Sequence, residues 1–170
     1  MYKKSEKKMN ETEKRKKRLC FTGHRPEKLY HDEAAVCSIL RKEIDDAMAN
    51  GFTTFISGMA RGVDIWAAEI VLEKKRMNPE VRLICALPHP NFEKRWSFAW
   101  QKRYTEVIAQ ADLVKDISLT FLMANYQRRN EWMVDHSAKV IAIYNGTAGG
   151  TKKTIDYAEH RGVKVDIHEA

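Results

Sequence analysis

Short apolar runs alternating with stretches of helical periodicity constrain this chain more than any other feature. Leu19-Cys20-Phe21-Thr22-Gly23 reads as a buried strand entering a turn. Residues 33–49 place Ala35, Ile39, Leu40, Ile44, Ala47 and Met48 at helical spacing, and Asn50-Gly51 ends the pattern. Thr53–Ser57 is rich in β-formers and stops at Gly58. A second helix begins near Arg61–Asp64 with Ile65, Ala68, Glu69 and Leu72 on one side. Val81–Leu87 is the next strand, closed by Pro88-His89-Pro90. Phe92–Ala111 forms one or two helices, Leu113–Asp116 a short strand and Phe121–His136 a helix. Lys139–Tyr144 is a strand, Thr151–His160 a helix and Val163–Ile167 a last strand. Strands and helices in this alternation make βαβ units. The expected fold is α/β: a doubly wound, mainly parallel sheet with helices on both faces.

The chain has 170 residues, 44% apolar and 31% charged, which suits one domain of ordinary size. No apolar run approaches the roughly 18 residues of a membrane span, so no membrane association is expected. The charged N-terminus has no apolar core of a secretory signal. Cys20, Cys37 and Cys85 are scattered without a CxxC pair, and the histidines lack ligand spacing. No disulfide framework or metal site is therefore expected, and a cytoplasmic setting is. The net charge of +7 is local: residues 1–18 carry nine Lys/Arg against three Glu, leaving +1 for the remainder. This segment is read as a basic, unstructured leader preceding a domain over 19–170, with an arm for nucleic acid as the sharper alternative.

Ligands of parallel sheets sit beyond the carboxyl ends of the strands, and three strands empty there into small or polar turns. These are Thr22-Gly23-His24-Arg25-Pro26, Ser57-Gly58-Met59-Ala60-Arg61-Gly62-Val63-Asp64 and Asn145-Gly146-Thr147-Ala148-Gly149-Gly150-Thr151. The last two run directly into helices, where unpaired N–H groups and the helix dipole favour an anion. Neither matches the P-loop or the GxGxxG fingerprint. Gly58, Gly62, Gly149, Gly150 and Thr151 are expected to cradle phosphate, with Gly23, Ser57, Asn145 and Gly146 in the same turns. Arg25 would neutralise charge. Asp64 either accepts from ribose hydroxyls or caps its helix. Glu69 lies about 140° round the helix from Asp64, which argues against an acid/base pair.

These three segments, with Ile65-Trp66-Ala67-Ala68-Glu69 after the second and Tyr144 before the third, resemble the YpsA-like family of the SLOG superfamily over about residues 19–167. The resemblance implies a Rossmann-like sheet and a nucleotide or nucleotide-derived ligand, such as an ADP-ribose-like molecule, held by a sensor or regulatory protein. The superfamily also contains the DNA-processing protein DprA and LOG-type nucleotide phosphoribohydrolases. LOG-type enzymes carry a GGxGTxxE segment, and aligning Gly150-Thr151 on its Gly-Thr puts Thr154 at the glutamate. A hydroxyl does not replace that carboxylate near neutral pH, so no catalytic residue is assigned. A nucleotide hydrolase and a DprA-like DNA-binding protein remain the alternatives.

Other candidates lie outside the turns. His24 follows the first strand and is placed to contact a phosphate. His89 is expected in a pocket wall. Arg128 or Asn130 is expected to reach the ligand from a helix end, where the resemblance continues through Met133-Val134-Asp135. Trp66, Trp96, Trp100 and Trp132 are assigned to the core or to a subunit interface rather than to base stacking, and a homodimer is expected.

Overall fold

The computed structural model describes residues 9–170. Six strands form one all-parallel sheet in the order β4-β3-β2-β1-β5-β6. They are β1 (Arg18–Gly23), β2 (Thr54–Ser57), β3 (Arg82–Leu87), β4 (Leu113–Asp116), β5 (Lys139–Tyr144) and β6 (Lys164–Glu169). The helices are α1 (Glu11–Arg15), α2 (Glu33–Ala49), α3 (Val63–Met77), α4 (Phe98–Ile108), α5 (Ala124–Asp135) and α6 (Gly150–His160).

Continuous apolar strands arise because both faces of the sheet are covered. On one face Leu19, Phe21, Phe55, Leu83, Cys85, Ile141 and Ile143 meet Val36, Leu40 and Ile44 of α2 and Ile65, Ala68 and Leu72 of α3. The alternate residues Cys20, Ile56, Ile84, Ala86 and Val140 turn to the other face, against Met133 and Val134 of α5 and Ala158 of α6. The helices on each face thus meet one parity of the central strands, confirming the doubly wound architecture.

The chain lays down β1 to β4 in one direction and then returns through α5 to place β5 on the free side of β1. This reversal is the topological switch of an open parallel sheet, where a crevice opens beyond the strand ends. Register keeps those ends level: Gly23 stands opposite Ile143, and Ser57 opposite Cys85.

One expectation is corrected. Residues 1–8 of the expected leader lie outside the described residues, but Glu11–Arg15 form a helix and Arg18 already belongs to β1. Asn10 and Glu13 close a reciprocal capping box, with Glu13 N–H donating to Asn10 Oδ1 at 2.9 Å and Asn10 N–H to Glu13 Oε2 at 2.8 Å. None of the four indoles is exposed. Trp66 is buried; Trp96, Trp100 and Trp132 are half-buried against neighbours in the same chain. The indoles therefore pack against the core, one of the two places expected for them. Among the described residues no helix is long and apolar enough to cross a membrane.

Candidate functional site

A cleft of about 610 Å³ lies at the switch, within the size range of small-molecule sites. The turn after β1 contributes Thr22, Gly23, His24 and Arg25; the turn after β2 contributes Ala60 and Arg61; the start of α6 contributes Gly149, Gly150 and Thr151. Helix α5 closes it with Tyr126, Gln127, Arg129 and Asn130. Segments from widely separated parts of the chain therefore converge on one hollow.

The α6 end is open to this cleft. Gly149 has φ of +148°, a conformation that side chains rarely adopt, and a Cβ built on it meets nothing within 4 Å. The first intrahelical acceptor bond is Lys153 N–H to Gly149 O at 3.1 Å. The amides of Gly150, Thr151 and Lys152 precede it, the orphan donors of a helix start. Asn130 adds a side-chain donor. Arg129 Nε–H donates to Asn130 Oδ1 at 2.8 Å, which fixes the amide so that Nδ2, 4.0 Å from an added Gly150 Cβ, faces the helix start.

The α3 end is covered. Gly62 has φ of +90°, and a Cβ there would fall 2.8 Å from Pro26 Cδ and 3.2 Å from His24 O. A Cβ on Gly23 would fall 2.5 Å from Val63 Cγ2. The turn after β1 is thus pressed onto the first residues of α3. Ser57 completes this packing: its Oγ donates to Asp64 O at 2.8 Å and accepts from Met59 N at 3.1 Å. Gly23 and His24 belong to this contact and also line the cleft, whereas Ser57, Gly58 and Gly62 hold the floor together behind it.

Asp64 belongs to that floor. Its carboxylate accepts from Ala60 N at 3.2 Å, in the turn before the helix, and is buried beneath Gly58; it is off the cleft lining, away from a ribose there, and makes no cap bond to α3, whose N-cap is Gly62. Burial pushes its carboxyl up to about 6, opposed by the positive charge of Arg129 and the Ala60 N–H. Arg129 is also buried and donates Nη1–H to Gly58 O. A Cβ at Gly58 would fall 2.9 Å from both the Arg129 guanidinium and Asp64 Oδ2, so glycine lets the two charged groups meet over the turn. Arg129 is lowered from the ordinary arginine value by the same burial.

Other candidates fall on either side of the boundary. His24 lines the cleft with its ring stacked on Tyr144 at 5.5 Å. Its Nε2 is buried with no partner among the described residues. Burial, then Lys28, holds its imidazole below the usual range, so it is neutral at pH 7. His89 stands behind the wall, its Nδ1 2.9 Å from Pro90 O and its ring edge-on to Phe92 and Tyr126, which form the wall itself. Arg128 points away, donating to Asn125 Oδ1 at 3.3 Å. Asn145 ties two turns together by donating Nδ2–H to Lys28 O at 2.9 Å, and Gly146 turns in the open outside the cleft.

Sequence reasoning passed over Arg129, Tyr126 and Gln127 in α5, and Phe92 and Trp96 before α4. For α5 a signal existed: Tyr126, Arg129 or Asn130, and Met133 follow the helical period of the buried face, and Arg128 does not. No comparable pattern marked Phe92.

The cleft is cationic. Arg61 pairs with Glu27 at 3.2 Å, while Arg25, Lys28 and Lys153 make no ion pair with a described residue. Glu27 is the only carboxylate on the lining among the described residues. Glu69 faces elsewhere, bound to Arg103 at 2.6 Å and 2.8 Å. Thr154 donates Oγ1–H to Gly150 O at 2.8 Å, inside its own helix. The thiols offer no nucleophile, since burial pushes Cys20 and Cys85 up to about 12 and Cys37 to about 11. Three basic residues of the leader stand instead at the other edge of the sheet. Lys14, Lys17 and Arg18 flank a shallow groove with Thr54 and Arg82, the first residues of β2 and β3.

Comparison with known proteins agrees with this architecture. The model of the YspA SLOG family (YpsA) matches residues 19–166. The SPbeta prophage-derived protein YoqJ of Bacillus subtilis is 32% identical over 117 residues, covering 62% of this chain and 68% of YoqJ. A UPF0398 protein of Staphylococcus epidermidis is 28% identical over 164 residues, 89% of this chain and 87% of its own. Among solved structures, DNA processing protein A from Helicobacter pylori, described for its single-stranded DNA binding mode, superposes with a TM-score of 0.62 at 19% identity. DprA from Streptococcus pneumoniae superposes at 0.58 and 15%. The superpositions cover 88% and 89% of this chain but only 64% and 50% of those chains, and they establish a shared fold.

Proposed function

The chain belongs to the YspA SLOG family, and on that footing we propose that it binds a phosphate-bearing, nucleotide-derived ligand of the ADP-ribose kind at the carboxyl edge of its sheet. The observation that carries the reading is the open N-terminus of α6 at the topological switch. There main-chain donors, the Asn130 side-chain amide and cations that make no ion pair among the described residues surround one hollow. Phosphate sits over Gly149–Lys152, and Arg25, Lys28 and Lys153 neutralise it. With Glu27 already engaged by Arg61, the lining favours holding the ligand over hydrolysing it. The role that follows is a sensor or regulatory protein in the cytoplasm.

Thermal-shift titration with ADP-ribose tests this. The parent protein is expected to gain melting temperature, and Gly150→Glu, which fills the anion seat with a carboxylate, is expected not to. An equal response from both proteins, or none from the parent, would overturn the reading.

A second reading, single-stranded DNA, is favoured by the likeness to the Helicobacter protein and by the surplus of cations. It predicts oligonucleotide affinity that falls steeply with salt. Lys14→Glu/Lys17→Glu weakens such binding if the opposite edge carries it, and Lys153→Glu does so if the cleft does.

A further inference from the structure

An anion explains only part of the cleft. One phosphate fills a small fraction of about 610 Å³, and the wall formed by Phe92, Trp96, Met123 and Tyr126 offers it nothing. Position along α5 separates the two chemistries. Asn130 lies at the phosphate seat, and Tyr126 is one turn earlier, about 6 Å along the helix axis. Met123, at the N-cap of α5, lies a further turn out and is largely exposed.

The rings of this wall are held rigidly. Trp96 packs edge-on to Phe92 at 5.1 Å and to Tyr104 at 5.8 Å. His89 meets Phe92 at 6.2 Å and Tyr126 at 5.9 Å, both edge-on, and so braces the two parts of the wall. Trp96 and Tyr126 remain half-buried, packed within the chain and yet on the cleft lining. Rigid aromatic rings bordering a cationic hollow suit a flat π-system joined to an anion, because little side-chain freedom is lost on stacking.

We propose that Trp96 and Tyr126 form a nucleobase subsite, continuous with the phosphate seat at α6, so that the ligand is recognised by its base as well as by its phosphate. The proposal rests on the phosphate reading above and names the second half of the same ligand. The phosphate end supplies charge; the aromatic end distinguishes a nucleotide from a sugar phosphate or inorganic phosphate. Base–aromatic stacking tolerates any base, so Trp96 and Tyr126 select for the presence of a base rather than its identity.

Calorimetric titration of the full chain with AMP and with ribose 5-phosphate separates the two halves. AMP is expected to bind about tenfold or more tightly than ribose 5-phosphate. Tyr126→Leu is expected to erase most of that difference while leaving ribose 5-phosphate affinity unchanged. Trp96→Phe, which retains a ring and the packing against Phe92 and Tyr104, provides an independent readout. AMP is expected to quench indole emission in the parent and to lose that quenching in the variant. Equal affinity for the two ligands in the parent, or an equal loss for both in Tyr126→Leu, would overturn the base subsite and leave the phosphate seat standing. Absence of binding by either ligand would overturn both.

Discussion

The helices that follow β2 and β5 both start at glycine after a short polar turn, yet their N-termini meet different surroundings. At α3, Pro26 and the His24 carbonyl press on Gly62, and Asp64 takes the Ala60 amide. At α6, nothing lies within 4 Å of a Cβ on Gly149. A glycine N-cap thus serves packing in one place and leaves donors free in the other. What decides between them is whether a distant loop covers the helix end. A glycine-rich turn in a parallel sheet is a candidate anion seat only after that cover has been examined.

Substitution at the two ends should break the symmetry sharply. Gly62→Val forces a branched side chain into a left-handed conformation against Pro26 and is expected to cost about 3 kcal/mol or more in chemical denaturation. A cost below about 1 kcal/mol would mean that the α3 end is as open as the α6 end.

The buried carboxylate at the α3 end gives a pH signature that the α6 end lacks. Its folded-state value is about 6 against an ordinary 3.8, so between those values the folded protein holds the extra proton. Asp64 therefore stabilises the fold as pH falls from about 7 towards 4, by up to about 3 kcal/mol, and this contribution vanishes above about 6. Urea denaturation at pH 7.5 and pH 5 should show this slope in the parent and a flatter one in Asp64→Asn.

Arg129 joins the two ends, since it reaches both Gly58 O and Asn130 Oδ1. Arg129→Met is expected to cost about 2 kcal/mol by leaving those acceptors unpaired, to raise the Asp64 carboxyl further, and to weaken phosphate binding by releasing the Asn130 amide. Unchanged phosphate affinity would separate the floor from the seat. Glu69→Gln, on the side of α3 away from the cleft, is expected to cost less than about 1 kcal/mol and to leave binding intact. A carboxylate acting on the ligand would show itself by the opposite result. The smallest stability effect belongs to Gly150→Glu, within about 0.5 kcal/mol of the parent because an acidic residue suits the first helical turn. That variant is nevertheless the one expected to lose phosphate binding.

The inner strands β1, β2, β3 and β5 were legible because each carries an apolar run that ends in a breaker, signals that act within a few residues. The bounds of α2 at Glu33 and Ala49 follow from Asp32 as N-cap and Asn50-Gly51 as stop. The start of α4 was not legible, because the chain makes irregular turns from Asn91, at φ of +61°, to the Ser97 N-cap before the helix begins at Phe98. At the N-terminus, the density of Lys and Arg masks the Asn10–Glu13 capping pair, a local signal that outweighs the charge. The site was legible where a single turn defines it, as at Gly149–Thr151. It was not where tertiary contacts decide, as in the cover that Pro26 lays over α3 or the choice of Arg129 over Arg128.

Amide NMR of the full chain titrated with ADP-ribose puts the contrast between the two helix ends to the test in one experiment. The account predicts that the N–H resonances of Gly149, Gly150, Thr151 and Lys152 shift with ligand while those of Val63, Asp64 and Ile65 stay nearly fixed. Shifts confined to the α3 amides, or none at either helix, would contradict it.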